Sequence, residues 1–396
     1  MAASLAIILL LGLPVNKLFQ KIRIPGLLGL LILGVIIGPY GLNWLQKDMI
    51  NASSDLRKIA LIVILLRAGF GIDKEDFKKI GKTALKISCI PGLIEGFFIA
   101  FISTKLLGFS FIEGGILGFI IAAVSPAVVV PSMLNLLGNK IGTNKGIPTL
   151  ILAGASIDDV FAITIFSTFL GLYGGSHVNI GMQILNIPVS ILLGIILGII
   201  IGLIMIKIFK NYHIRDTEKV LLIISASILL TELGKVLKTK VEIASLLGVM
   251  TIGFVIFEKM SNVGKRLATK FNKIWIFAEI LLFVLVGAQV NINVAVNAGK
   301  VGIIVILIGL LGRSIGVIIS LLGTELNWKE RLFCIIAYIP KATVQAAMGA
   351  VPLSLGIESG DVILAISVLA ILITAPLGAI GINFSARKLL YVDNRR

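Results

Sequence analysis

Apolar stretches long enough to cross a bilayer follow one another along this chain, separated by short clusters of charge, Gly and Pro. A crossing helix needs about 20 residues. With Pro, Gly and charge clusters as punctuation, the pattern predicts thirteen spans, near 2–18, 24–39, 53–71, 79–104, 113–135, 146–172, 184–210, 217–236, 242–258, 272–289, 299–322, 329–353 and 361–386. The second and ninth are shorter than the norm. The first run, MAASLAIILLLGLPVNKLFQ, lacks a basic n-region and leads into Lys and Arg rather than a small-residue cleavage site, so it reads as an uncleaved span. The closing RKLLYVDNRR is too short to fold by itself, and no appended soluble domain is expected.

Composition narrows the class. The 396 residues are 57% hydrophobic and 14% charged, against about 45–50% and about 25% in soluble domains, which excludes a soluble enzyme. Lys and Arg number 36 against 20 acids, a net charge of +16. In so apolar a chain that excess suits cytoplasmic loops and anionic lipid head groups rather than nucleic acid. If the N-terminus is outside, the cytoplasmic loops hold 24 of the Lys and Arg and the opposite loops 8, with Lys235, Lys238 and Lys240 the local exception. The positive-inside rule therefore gives N-out, C-in. Cys89 and Cys334 both lie in apolar stretches and read as core residues, not a disulfide framework or metal site.

Two spans carry proline in similar surroundings. The fifth reads IIAAVSPAVVVPSML from Ile120 and the twelfth IIAYIPKATVQAAMG from Ile335. They share the opening IIA, a proline within one residue of the same place, and the Ala and Val that follow. Lying seven spans apart, they enter the membrane from opposite sides, as an inverted-topology repeat requires. Matched interruptions of this kind point to a binding site, because freed backbone persists in a membrane only beside protein or a wet cavity. Pro126, Ala127 and Pro340 are the candidate broken-helix positions.

Five ionisable residues sit deep in apolar spans, each costing at least about 2.5 kcal/mol at a helix centre: Glu95, Asp158, Asp159, Arg313 and Lys341. Helix neighbours point about 100° apart, so Asp158 and Asp159 cannot both reach one interface, and at least one faces a wet cavity. Desolvation and a like-charged neighbour both favour the protonated carboxyl, which sets a proton and a small hard cation in competition for the same oxygens. Ser125, Thr164 and unwound carbonyls around 124–128 would complete an all-oxygen shell for Na⁺ at Asp158 and Asp159. Glu95 lies 32 residues before Ala127 and Arg313 lies 29 before Ala342, so an acid in one half and a base in the other suggest a core ion pair. Lys341, at the second break, suits freed carbonyls and the negative end of a half-helix. His177 and His213 fall in loops, and no soft-metal site is expected.

LILGVIIGPYGL, LLRAGFGID, SPAVVVPSML, GASIDD and IPKATVQAAMG stand in this order along the chain. On these motifs the whole sequence resembles sodium/proton antiporters of the monovalent cation:proton antiporter superfamily, above all the NHA-type subgroup. The resemblance implies an all-α polytopic membrane fold, NhaA-like, in which a core with two crossed, broken helices slides against a dimerisation domain within a homodimer. It assigns 1–78 to dimerisation-side helices, 79–172 to the first half of the core, 173–298 to dimerisation-side and connecting helices, and 299–396 to the second half of the core. Asp159 matches the ion-carrying aspartate and Asp158 its partner, whereas Arg313 stands where electrogenic relatives with paired aspartates often carry a lysine. The expected activity is exchange of Na⁺ or Li⁺ for H⁺ by alternating access, in the cell membrane and in contact with its lipids, anionic ones included. K⁺/H⁺ exchange is the alternative within the class; a cation channel and an intramembrane aspartyl protease are the alternatives outside it. The protease needs aspartates facing each other, which adjacent ones do not do, and channels rest more often on rings from identical subunits. A transporter without cofactor or nucleic-acid partner is therefore expected, not an enzyme.

Overall fold

The computed structural model describes residues 1–21, 26–71, 74–174, 180–237, 243–290 and 299–392. His177, and Arg23, Lys238, Lys240, Arg395 and Arg396 of the charge count, lie outside them. Among the described residues the regular elements are helices: α1 (Ala2–Lys21), α2 (Gly26–Ile37), α3 (Lys47–Asn51), α4 (Ser53–Gly69), α5 (Lys74–Leu106), α6 (Phe111–Ala122), α7 (Pro126–Gly138), α8 (Ile147–Tyr173), α9 (Ile180–Asn211), α10 (Asp216–Leu237), α11 (Ser245–Lys259), α12 (Ser261–Ala288), α13 (Gly299–Ser320), α14 (Trp328–Ala337), α15 (Thr343–Met348), α16 (Val351–Ser354) and α17 (Gly360–Leu389). Eight stretches among the described residues are long and apolar enough to cross a membrane. Helices α2, α4 and α11, at 12, 17 and 15 residues, are shorter than a full crossing.

The interior is largely apolar, yet large apolar side chains also cover the outside and a few charges lie within. Leu10, Phe101, Leu229, Leu311 and Phe384 point outward, while Glu95, Asp158, Arg313 and Lys341 are buried. In lipid this is the stable arrangement, since apolar side chains meet hydrocarbon and charges find partners inside.

Two groups of helices pack mainly among themselves. In one, α5 lies against α6, α8 and α13, and α17 against α7, α13, α14 and α15. In the other, α2 packs on α1 and α12, α4 on α11 and α12, and α9 on α11. The groups meet where α8 touches α9 and α11, and where α4 touches α7. Small residues set the closest approaches. A Cβ on Gly316 of α13 would lie 2.5 Å from the Cα of Pro91 on α5.

Three features differ from the pattern of spans. The basic stretch before residue 272 reads as a loop, yet α12 begins at Ser261. Leu267, Phe271 and Trp275, at helical spacing, are buried while Lys265, Arg266 and Lys270 are exposed, so the segment is amphipathic rather than broken. The fifth span is two helices, but the unwound residues are Ala123–Ser125, not a stretch running to 128. Pro126 opens α7 and Ala127 is helical, because proline lacks only an N–H that a first-turn residue leaves unpaired anyway. The twelfth span is three short helices, with residues 338–342 between the first two. By contrast Pro14, Pro91, Pro188 and Pro376 lie inside helices that continue through them.

Both interrupted helices start in the same way. Ser110 caps α6 in a box with Glu113, and Asn327 caps α14 in a box with Glu330. Each box satisfies two backbone donors at a helix start. Glu330 also takes the Lys145 ammonium at 2.8 Å, tying the approach to α8 to the start of α14.

Candidate functional site

A helix broken inside a membrane leaves carbonyls at the end of one half and N–H groups at the start of the next, each costing several kcal/mol if unpaired. Here the breaks largely satisfy each other and recruit the buried charges. The Ser125 N–H donates to the Pro340 carbonyl at 2.8 Å, so the two unwound segments touch backbone to backbone. The α6 end is met by donors: Gln345 Nε2 reaches the carbonyls of Ile120 and Ala123 at 2.9 and 3.0 Å, and both Lys341 Nζ, at 3.3 Å, and Arg313 Nη2 donate to the Ala122 carbonyl. These cations sit at the negative end of α6. Just before α7 the sign reverses, and the Val124 N–H donates to Asp158 Oδ2 at 2.7 Å. A carboxylate at the positive end of a half-helix is the complementary arrangement. The second break is anchored by the Lys341 N–H, which donates to Thr374 Oγ1 of α17 at 2.9 Å.

Glu95 on α5 joins this cluster from behind. Its Oε2 accepts from Arg313 Nε and, at 2.7 Å, from Lys341 Nζ. Arg313 Nη2 also lies 3.5 Å from Asp158 Oδ2, and its guanidinium lies 5.6 Å from the centre of the Tyr338 ring. Gly92, one turn before Glu95, gives the room: a Cβ there would sit 3.3 Å from Asp158 Oδ1. Glu95, Asp158, Arg313 and Lys341 thus form one buried cluster of two carboxylates and two cations.

Asp159 takes no part in it. It lines a separate cavity of about 130 Å³ with Ser156, Val160 and Ile163 of α8, Ser190 of α9, and residues 243–247 at the start of α11. Its Oδ1 is buried, and among the described residues it has no hydrogen-bond partner. The cavity lies toward the end of the bundle where α9 and α11 begin. Toward the other end, the same helix interface is lined by Ala153, Ile157, Ile195, Met250, Phe254 and Val255 around an apolar space of about 180 Å³.

The sequence-derived candidates divide accordingly. Glu95 and Arg313 meet, and Lys341 joins them on a carbonyl of the other break rather than its own. Asp158 and Asp159 are separated: Asp158 is held by Val124 and Arg313 and does not line the Asp159 cavity. Ser125 sits at the crossing with a hydroxyl that has no hydrogen-bond partner among the described residues, and the Thr164 hydroxyl donates to the Val160 carbonyl at 2.7 Å; neither lines that cavity. Gln345, Tyr338, Thr374 and Ser190 were not apparent from sequence. Gln345 and Thr374 carried a faint signal as polar residues in apolar spans beside or facing a break.

Comparison with known proteins adds an independent line. The family described as sodium/hydrogen exchanger, transmembrane, matches residues 5–388. The chain is 34% identical over 393 residues to sodium/hydrogen exchanger 9B2 of Homo sapiens, covering 93% of this chain and 70% of that protein. It is 32% identical over 399 residues to sodium/hydrogen exchanger 9B1 of Macaca fascicularis, covering 95% and 76%. Among solved structures it is similar to the sodium proton antiporter MjNhaP1 from Methanocaldococcus jannaschii at pH 8, with a TM-score of 0.79 over 97% of both chains. At 24% identity that last likeness speaks for the fold.

Proposed function

Since this chain belongs to the sodium/hydrogen exchanger family, we propose that it exchanges Na⁺ for H⁺ across a membrane, with both ions carried in turn by Asp159. One observation carries the assignment of the site. In the buried cluster two carboxylates face two cations, so the charges balance. Asp159 forms no ion pair among the described residues and lines a cavity with one oxygen unpartnered. A lone carboxylate inside a membrane is tolerable only when neutralised. A proton does so, and so does a small hard cation held by oxygens. Each excludes the other, and alternate exposure of the occupied site to the two sides makes the exclusion an exchange.

The same balance supports one-for-one exchange. With Arg313 and Lys341 both charged beside Glu95 and Asp158, the transported unit carries the same charge whether Asp159 holds H⁺ or Na⁺. Asp158 and Glu95 then act as structural anions that hold the crossing, and the Pro126–Ala127 and Pro340 region acts as its frame.

The moving body in this reading is the core of residues 79–172 and 299–396, sliding against the dimerisation-side helices of 1–78 and 173–298. The grouping of helix contacts supports that division. A homodimer in the cell membrane, with the N-terminus outside, the C-terminus cytoplasmic and anionic lipids against the basic loops, belongs to the same proposal, as does Li⁺ as a second substrate. A channel is disfavoured by the apolar lining beyond Asp159, and a protease by the commitment of Asp158 to Val124 and Arg313. The family is one of transporters, and K⁺ has no comparable support.

The test is purified protein in proteoliposomes with an internal pH dye. A Na⁺ gradient should drive proton movement at a rate independent of clamped membrane potential, and Asp159→Asn should abolish it. Proton movement at near wild-type rates in Asp159→Asn would place the ion site elsewhere. A clear voltage dependence would refute one-for-one exchange.

A further inference from the structure

The cavity at Asp159 has two walls, and they belong to different groups of helices. Ser156, Asp159, Val160 and Ile163 come from α8, whereas Ser190 and residues 243–247 come from α9 and α11. Ser190 is 1% exposed, and its hydroxyl has no hydrogen-bond partner among the described residues. Among the described residues other buried hydroxyls are also unpartnered, but Ser190 lines the Asp159 cavity across from a carboxylate whose Oδ1 likewise has no partner there, which places a hard oxygen where a shared ligand would sit.

Ser190 is also held in place. Its carbonyl accepts from the Ala244 N–H at 3.1 Å, locking α9 to the start of α11. One turn on, Gly194 lets α9 lie against Ala244, where a Cβ would come within 3.0 Å of the carbonyl carbon. The hydroxyl is therefore presented from a rigid wall. The first turn of α11 lines the same space, and the positive end of that helix opposes a bare cation. A hard oxygen from this wall offsets part of that opposition. At about 30 Å³ per water, the volume of about 130 Å³ accommodates a small cation with a few waters.

We infer that Ser190 is a ligand of the transported cation, directly or through one retained water, supplied by the wall that does not travel with α8. The inference rests on the proposal that Asp159 carries the cation and that the core moves. Its consequence is an affinity that differs between the two orientations. With α8 in the position seen here, the cation has Asp159 on one side and Ser190 on the other. Once α8 has slid, Asp159 keeps the cation and Ser190 is left behind, so the hold weakens on the releasing side.

The experiment measures the KM for Na⁺ separately at the two faces, in proteoliposomes sorted by orientation. Ser190→Ala should raise KM about 5- to 10-fold, the loss of one polar ligand, at the face onto which the cavity opens. At the opposite face KM should stay within about twofold of wild type. Ser190→Thr, which keeps the hydroxyl, should restore the value. Ser190→Cys fills nearly the same volume without a hard oxygen, so it should behave like Ala even if Ala disturbs packing. Na⁺-dependent thermal stabilisation in detergent should weaken in parallel. An unchanged KM at both faces overturns the inference, and so does an equal rise at both. Wild-type protein with no Na⁺-driven proton movement would instead remove the antiport reading itself.

Discussion

Asp158 and Asp159 are covalent neighbours in two opposite environments. On the Asp158 side of α8 the buried charges are paired: the carboxylate takes the Val124 N–H and lies against Arg313, which with Lys341 is shared with Glu95, and Gln345 covers the α6 carbonyls. On the Asp159 side there is a cavity lined by Asp159 and Ser190, whose Oδ1 and hydroxyl lack hydrogen-bond partners among the described residues. The contrast teaches why a broken pair of helices can also be a transport site. Balanced charge makes one face of α8 rigid, so that the unbalanced charge on the other face is left to the exchanged ions. A buried network whose charges are paired helps to specify a structure, and Asp159, with no ion pair among the described residues, is the carboxylate left for the exchanged ions.

The largest test of that contrast exchanges the roles. Asp159→Asn should remove Na⁺-driven proton movement, a loss of at least about 100-fold if binding falls by about 2.7 kcal/mol or more. Its melting temperature should move little, because no hydrogen-bond or ion-pair partner among the described residues is lost. Asp158→Asn should show the reverse ranking. Its amide oxygen can still accept from Val124, so transport should fall less, but Arg313 loses a charge partner and thermal stability should fall more. Equal loss of transport in both variants, with equal stability, would erase the distinction between the two faces.

Competition at Asp159 gives the next effect in size. A protonated carboxyl cannot hold Na⁺, so at pH values below its titration the apparent KM for Na⁺ should rise about tenfold per pH unit if one proton competes. Above it KM should level off, while turnover falls for want of protons on the return step. Initial rates from pH 6 to 9 with the potential clamped would show this, and a flat KM would separate the two ion paths.

On the paired side, Glu95→Ala leaves Arg313 and Lys341 without their shared anion. Breaking a buried pair in this way costs about 3–5 kcal/mol, read as a lower melting temperature in detergent. Arg313→Ala should cost a similar amount, and the double variant should recover part of the sum. Recovery should be incomplete, because Lys341 also depends on Glu95. Strict additivity would mean that the two do not interact. Gln345→Ala should be the mildest of the series, about 1–3 kcal/mol for the carbonyls of Ile120 and Ala123 that lose a donor. No change in stability would mean that water replaces the amide.

Much of this was legible before any fold was seen. Apolar run length marked where helices lie, since lipid forces each crossing segment to close its own backbone hydrogen bonds. The cost of intramembrane charge singled out Glu95, Asp158, Asp159, Arg313 and Lys341, and matched prolines marked both breaks. The limits were local. The helical start of α12 was hidden because charges on one face look like a loop when apolar spacing on the other is ignored. The unwound residues lie before Pro126 and not after it, because proline begins a helix more easily than it continues one.

What the sequence by itself determined about this protein is therefore the set of costly groups and the helices that carry them. Their pairing was decided only by the tertiary structure. Glu95 and Lys341 are 246 residues apart, and Ser190 and Asp159 sit on helices with no shared motif. Nothing in chain order says which side of α8 closes against the crossing and which faces Ser190 and the start of α11. That choice follows from how α5, α13 and the two broken helices fill the space around α8, with α9 and α11 left to line the other side. Packing of that kind is a property of many surfaces meeting at once, and no local stretch encodes it.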